Sequence, residues 1–145
     1  MARIKLDLPA AFLFQTQLHI RITDLNYGGH VGNDSILTLA HEARVQFLKA
    51  FGLSELDFAG VGLIMADAAI EFKQEVFYGD RLQVSLAVSD AGTVGFDLFY
   101  LFEKLQEDGS TNAVALVKTG MVCYDYEKKK VVRVPAAVKE KWGLQ

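Results

Sequence analysis

Residues 34–51 impose the strongest constraint on this chain. Within them Ile36, Leu37, Leu39, Ala40, Ala43, Phe47, Leu48 and Phe51 recur at helical spacing and leave a very wide apolar surface. A helix that is apolar on most sides must be covered on most sides. The spacing predicts a helix from about Asp34 to Phe51, roughly 27 Å long at about 1.5 Å per residue. Asn33 is the expected N-cap and Gly52 the expected C-cap. Asp34 sets a negative charge where the helix dipole favours one.

The cover has to come from strands. Residues 14–22 alternate, with Phe14, Thr16, Leu18, Ile20 and Ile22 on one face and Gln15, Gln17, His19 and Arg21 on the other, which predicts a half-buried strand. After the helix, strands are expected at 61–73 and 81–89. A long one carrying Val94, Phe96, Leu98, Tyr100 and Phe102 on one face comes next, and another runs on to about Tyr126. Turns at Tyr78-Gly79-Asp80, Asp90-Ala91-Gly92 and Glu107-Asp108-Gly109-Ser110 separate them. A short strand at 131–134 and a brief helix after Pro135 end the pattern. Four consecutive strands with short links predict an antiparallel meander curved around the helix, an α+β architecture in one domain spanning 1–145. Open sheet edges predict that two subunits pair.

With 145 residues, 51% of them apolar, the chain is long enough to bury a core and is not of disordered composition. A formal net charge of -3 gives no general attraction to nucleic acid or to an acidic membrane. No apolar run approaches the roughly 20 residues of a membrane helix. The stretch Pro9 to Phe14 stops at polar Gln15, Thr16 and Gln17. A soluble, cytoplasmic protein with neither nucleic-acid nor membrane partners is expected. The single Cys123 rules out an intrachain disulfide and any zinc site built from cysteines. Lying in Met121-Val122-Cys123-Tyr124, it is expected to be a small buried side chain, and Lys128-Lys129-Lys130 a solvated turn.

Chemistry concentrates in Asp24-Leu-Asn-Tyr-Gly-Gly-His-Val-Gly-Asn33, between the first strand and the helix. Glycines let a backbone approach a ligand closely, and a helix N-terminus offers unpaired N–H groups with a favourable dipole. Together these can hold an oxyanion such as the one that forms when a thioester carbonyl is attacked. Asp24, Asn26, His30 and Asn33 place polar groups beside that spot. The plain alternative is a capped loop in which Asp24 and Asn33 only satisfy backbone groups.

The pattern Arg21-x-x-Asp24-x-Asn26-x-x-Gly29-His30-Val31-x-Asn33, followed by His41-Glu42-Ala43-Arg44, resembles the hallmark of the 4-hydroxybenzoyl-CoA thioesterase family. That hallmark is roughly D-x-D-x-x-G-H-V-x-N and then E-A-R. Phe77-Tyr78-Gly79-Asp80-Arg81-Leu82 is similar to the turn the family carries further on. The resemblance implies a hotdog fold, in which an antiparallel sheet wraps one long central helix. It also implies homodimers or homotetramers, no metal or other cofactor, and an active site between subunits that hydrolyses an acyl-CoA or acyl-carrier-protein thioester. Carried over position by position, it marks Asn26, His30, Glu42 and Asp24 as catalytic candidates. Tyr27, Gly28, Gly29, Val31 and Asn33 become candidate substrate contacts, and Asp67 is a further one on its own ground, an unusual charge set between apolar Ile64-Met65-Ala66 and Ala68-Ala69-Ile70. The departure is Asn26, which stands where many relatives carry a second aspartate as nucleophile or base. An amide neither takes a proton from water at neutral pH nor attacks as a carboxylate does. His30 or Glu42 is the expected replacement. The other reading is an acyl-CoA binding protein without hydrolysis.

Overall fold

The computed structural model describes residues 2–89 and 91–144. Strand β1 spans Phe14–His19, helix α1 Asn33–Ala50, and strands β2 to β6 span Gly62–Phe72, Arg81–Ser89, Gly95–Leu105, Thr111–Asp125 and Lys130–Val131. A short helix α2, Ala136–Lys141, follows. All pairings are antiparallel, in the order β1-β3-β4-β5-β2, with β6 appended to β5. Helix α1 joins one edge of the sheet to the other and lies across its concave face. Ile36, Leu39, Ala40, Ala43, Phe47 and Leu48 there meet Leu82, Val84, Leu86, Phe96, Leu98, Tyr100, Phe102 and Val117 in one core. This is the expected sheet wrapped around a central helix.

The four-strand meander is corrected. Strands β3, β4 and β5 form one, but β2 pairs with β5 and not with β3. The reason lies in the link of residues 73–80, which does not reverse tightly. Val76 O accepts the Val31 N–H at 2.8 Å and Phe77 bridges to His30, so the link passes over the loop that precedes α1. The chain is thereby carried across the ends of β5 and β4. The turn at Tyr78–Asp80 exists only as the last part of that crossing, with Gly79 at φ +82°. Three boundaries also move. β1 stops at His19, and Ile22 is exposed in a 3₁₀ turn, Ile22–Asp24. The strand at 131–134 shrinks to Lys130–Val131. The N-cap of α1 is Gly32, which leaves Asn33 as the first helical residue. Of the turn at 90–92, Asp90 lies outside the described residues, while Gly92 N donates to Gly95 O at 2.8 Å.

The far end of α1 is closed by aromatics. Trp142, just after α2, stacks on Phe47 at 5.2 Å between ring centroids and meets Phe51, Phe58 and Phe96 at 6.1, 5.6 and 5.2 Å. Cys123 is buried in the core, and burial pushes its thiol up to about 11, so it stays protonated. On the convex face of the sheet, the N-terminal segment runs as a strap. Leu6 N donates to Glu71 Oε1 at 2.9 Å, beside β5 on β2, and Leu13 N donates to Leu86 O at 2.8 Å on β3. Residues 7–12 therefore cross β5 and β4, where Phe99 and Leu116 are buried although they point away from α1.

One close approach fixes how β4 begins. A Cβ on Gly95 would stand 2.3 Å from Met121 O, a backbone atom in mid-strand that cannot swing aside. Gly95→Ala is expected to destabilise the fold by about 1–3 kcal/mol, as for other overpacked sites. A lowered thermal midpoint with unchanged circular dichroism at low temperature would show it.

Candidate active site

The loop that enters α1 is a small self-bonded structure. Asn26 N donates to His30 O at 2.9 Å, Gly29 N to Asn26 O at 3.1 Å, and Gly28 N to the Asn26 side-chain Oδ1 at 2.8 Å. Leu25 and Val31 bridge at its base. Asp24 is buried and its carboxylate accepts the Arg21 N–H at 2.8 Å with the Arg21 guanidinium 3.6 Å away, so it caps the 3₁₀ turn. Gly29 adopts φ +82°, which favours a residue without a Cβ. Tyr27 projects from the tip, fully exposed.

Which N–H groups remain open follows by elimination. The Gly28 and Gly29 amides are bonded within the loop, Val31 N bonds Val76 O, and Gly32 N bonds Asp24 O at 3.4 Å. Among the described residues, the N–H groups of Tyr27, His30, Asn33 and Asp34 have no acceptor, and of these Asn33 and Asp34 form the pair at the positive end of α1. The glycine amides expected to face a ligand are thus spoken for, and the open pair sits one step further on.

Beside that pair lies a cavity of about 250 Å³, walled by His30, Val31, Asn33 and Ile36 on one side and by residues 72–76 with Val114 on the other. His30 is half-buried. Its Nδ1 lies 3.3 Å from Val31 O, where as an N–H it donates, and this leaves Nε2 with the lone pair. Asn26 Oδ1 and His30 Nε2 converge, lying 3.3 and 3.4 Å from the point where a Cβ on Gly28 would stand. A Cβ on Gly32 would come within 2.8 Å of Asp34 Oδ1 and 3.4 Å of Asn26 Cβ. Glycines at 28 and 32 therefore let Asn26, His30 and the start of α1 close on one another.

Two candidates from the sequence stand apart from this group. Glu42 accepts a hydrogen bond from Gln46 Nε2 at 2.8 Å, and Gln46 in turn bonds Thr16 on β1. It is not among the residues lining the His30 cavity. Asp67 sits at a bulge in β2, where its Oδ1 accepts the Gly120 N–H at 2.9 Å and the Lys118 ammonium at 2.8 Å. The Lys118 hydrogen bond, followed by that from Gly120, holds the Asp67 carboxyl below the usual aspartate range. Sequence reasoning missed the wall at 72–76, because a crossing link gives no local pattern. It also missed what surrounds Arg44. Arg44 is 5% exposed, its Nε donates to Glu55 Oε1 at 2.9 Å and its Nη1 to Tyr100 OH at 3.0 Å, and Tyr100 bonds Thr119 at 2.8 Å. His41 Nε2 shares the same Glu55 oxygen at 3.1 Å. A second crevice of about 270 Å³, lined by Asp34, Leu37, Thr38, His41, Arg44 and Met65, runs along α1 beside β2.

The described residues hold no cluster of three or more His, Cys, Asp or Glu side chains placed to bind a metal, and no helix long and apolar enough to cross a membrane. Known proteins agree with the fold. The chain is 30% identical over 130 residues to a 1,4-dihydroxy-2-naphthoyl-CoA hydrolase of Microcystis aeruginosa, covering 86% of this chain and 88% of that protein. The crystal structure of a 1,4-dihydroxy-2-naphthoyl-CoA thioesterase from Synechocystis superposes with a TM-score of 0.77 at 24% identity, over 87% of this chain and 92% of that one. The 4-hydroxybenzoyl-CoA thioesterase of a Pseudomonas species does so with a TM-score of 0.78 at 18% identity, over 90% and 99%. The family model of the thioesterase-like superfamily matches residues 20–142, from the end of the first strand to Trp142. With α1, its entry loop and strands β2 to β6 inside that match, the chain belongs to the thioesterase-like superfamily.

Proposed function

We propose that this protein hydrolyses an acyl-CoA thioester. The observation that carries the proposal is the pair of open N–H groups at Asn33 and Asp34, set beside His30 at the wall of a cavity. The thioester carbonyl oxygen sits on these amides, where the helix dipole stabilises the charge that develops on it. His30 Nε2 takes a proton from a water as its oxygen bonds to the carbonyl carbon. The tetrahedral intermediate then expels the thiolate, which leaves with the proton returned by the imidazolium. Relatives named as hydrolases of hydroxynaphthoyl-CoA support an acyl-CoA over a carrier-protein substrate.

Asn26 does two jobs in this reading. Its Oδ1 fastens Gly28, and its Nδ2, which has no acceptor among the described residues, is left to orient the water or the carbonyl. Asn26→Asp exchanges that donor for an acceptor and brings a second carboxylate toward Asp34. A fall in kcat of tenfold or more is expected, in line with the loss of one oxyanion donor. A gain in turnover would instead mark Asn26 as a lost base and favour an acyl-CoA binding role. The reading as a whole is tested by thiol release from short, medium, long and aryl acyl-CoAs, followed with a thiol-reactive dye. Rates at background on all of them would remove it.

The unit we propose is a homodimer paired along β2. That strand is an edge, and its residues Met65 to Ala68 and Phe72 are exposed. The same pairing covers the open side of α1, where Val45 is also exposed. Sedimentation at micromolar concentration should give twice the monomer mass, and Ala68→Pro, placed on the edge, should return it to monomer.

A further inference from the structure

We infer that the N-terminal strap grips the phosphates of the coenzyme-A substrate through Arg3 and Lys5, with Lys73 completing the site. The inference rests on the acyl-CoA reading above and adds to it where the far end of the carrier lies. The cavity beside His30 does not stop at its own wall. Phe72, 52% exposed, lines it and also lines a second crevice of about 360 Å³, whose other sides are residues 2–5 of the strap and Ile70 and Glu71 of β2. The two spaces meet across one ring, at the end of β2 beyond Met65 to Ala68.

The span between them fits the carrier. Val76 is tied to the entry loop, since its O accepts the Val31 N–H at 2.8 Å, and Phe72 adjoins the strap. The chain from one to the other covers at most about 14 Å when extended. Between the sulfur and the first phosphorus of coenzyme A lie about a dozen chain atoms, the backbone of roughly four residues. A pantetheine arm that starts beside His30 therefore ends at the strap. The wall suits that arm as well. Residues 72–75 are exposed, and among the described residues the Glu75 N–H has no acceptor and the Gln74 carbonyl no donor, so both are open to the amides of the arm.

Charge at the far end favours phosphate. The Leu6 N–H donates to Glu71 Oε1 at 2.9 Å, which sets Arg3 and Lys5 beside the end of β2, and Lys73 Nζ lies 3.0 Å from Glu71 Oε2. The Leu6 hydrogen bond, then that of Lys73, with Lys5 adding its charge, hold the Glu71 carboxyl below the usual glutamate range. Three cations thus gather around one carboxylate, and among the described residues no second carboxylate lines the crevice. Glu75 stands on the other side, at the His30 cavity. The surplus positive charge matches the diphosphate and the 3′-phosphate, whose oxygens are charge-assisted acceptors for arginine and lysine.

The experiment presents one acyl group on coenzyme A and on pantetheine, which lacks the phosphates, to the intact chain and to its Arg3→Ala, Lys5→Ala double variant. The strap is anchored there by the main chain of Leu6, so the variant keeps it in place. The variant is expected to raise KM for the acyl-CoA roughly tenfold or more with kcat retained, and to treat the acyl-pantetheine as the parent does. Added salt should raise the parent's KM for the acyl-CoA and move the variant's far less. Equal KM for the acyl-CoA in parent and variant overturns the inference, as does an equal loss on both substrates, and either result leaves thioester hydrolysis standing. If neither substrate is turned over, the hydrolysis reading falls, and calorimetry with coenzyme A itself decides the inference. Binding weakened about tenfold in the variant upholds it, and unchanged or absent binding overturns it.

Discussion

His30→Gln is expected to lower kcat on an accepted acyl-CoA by roughly 10²–10⁴-fold, the usual share of a general base. Glutamine keeps the approximate size of the imidazole and can still donate to Val31 O, which accepts from His30 Nδ1 at 3.3 Å. The loop should therefore hold its shape, since its own bonds run through Asn26, Gly28 and Gly29 and not through the ring. What the amide lacks is a basic nitrogen at the Nε2 position. The loss should fall on kcat with KM little changed, because the base acts in the transition state and not in binding. Unaltered turnover in a folded variant would exclude His30 as the base and turn attention to Asp34, the nearest carboxylate on the helix.

The largest effect on stability is expected from Phe47→Ala. Phe47 is fully buried at the centre of an aromatic cluster, stacked on Trp142 and tilted against Phe14 and Phe51 at 5.9 and 5.3 Å. Removing the ring deletes its burial and leaves a cavity walled by Phe14 of β1, by Phe51 just after α1 and by Trp142 just after α2, so collapse is difficult. A loss of about 3–5 kcal/mol is typical for such a site. Against a total of roughly 5–15 kcal/mol this brings a domain close to unfolding. Urea denaturation followed by Trp fluorescence should show the midpoint falling with the slope retained. A shift below about 1 kcal/mol would show that the cluster is loosely packed.

Elements whose rules are local were legible in the sequence. The helix expected at 34–51 is found at 33–50, and the strand at 81–89 is found unchanged, because wide apolar periodicity and strict alternation report directly on backbone period. Pairing was less legible. Ile70 lies opposite Val117 and Leu63 opposite Cys123, partners about fifty and sixty residues away. No turn signal near β2 announces them. The link at 73–80 carries a good turn sequence at its end, and that local signal concealed the crossing.

The site divides along the same line. His30 and Asn33, both in the short stretch between strand and helix, meet at one cavity wall, whereas Asp24, expected as a catalytic candidate, is buried and caps the 3₁₀ turn. Glu42 was placed by its depth along the helix, but depth is only half of a helical coordinate. Nine residues from Asn33 at about 100° each bring it half a turn round, to the side that faces β1. Arg44, eleven residues from Asn33, returns to the cavity side, and this is visible in the same arithmetic once the open face is known. The residues 72–76 could not be assigned in advance, since their place beside His30 depends on the non-local pairing of β2 with β5.

The N-terminal strap has a consequence for how copies of this fold can stack. Phe99 and Leu116 would otherwise offer a greasy patch on the back of the sheet, and the chain has already laid its own backbone over it, pinned at Glu71 and Leu86. Two such backs cannot meet without both straps lifting away. Contact between copies is steered to the helix side, the sheet edges or the sheet ends, and cleavage ahead of Phe14 would unveil a sticky plane that the intact molecule keeps hidden.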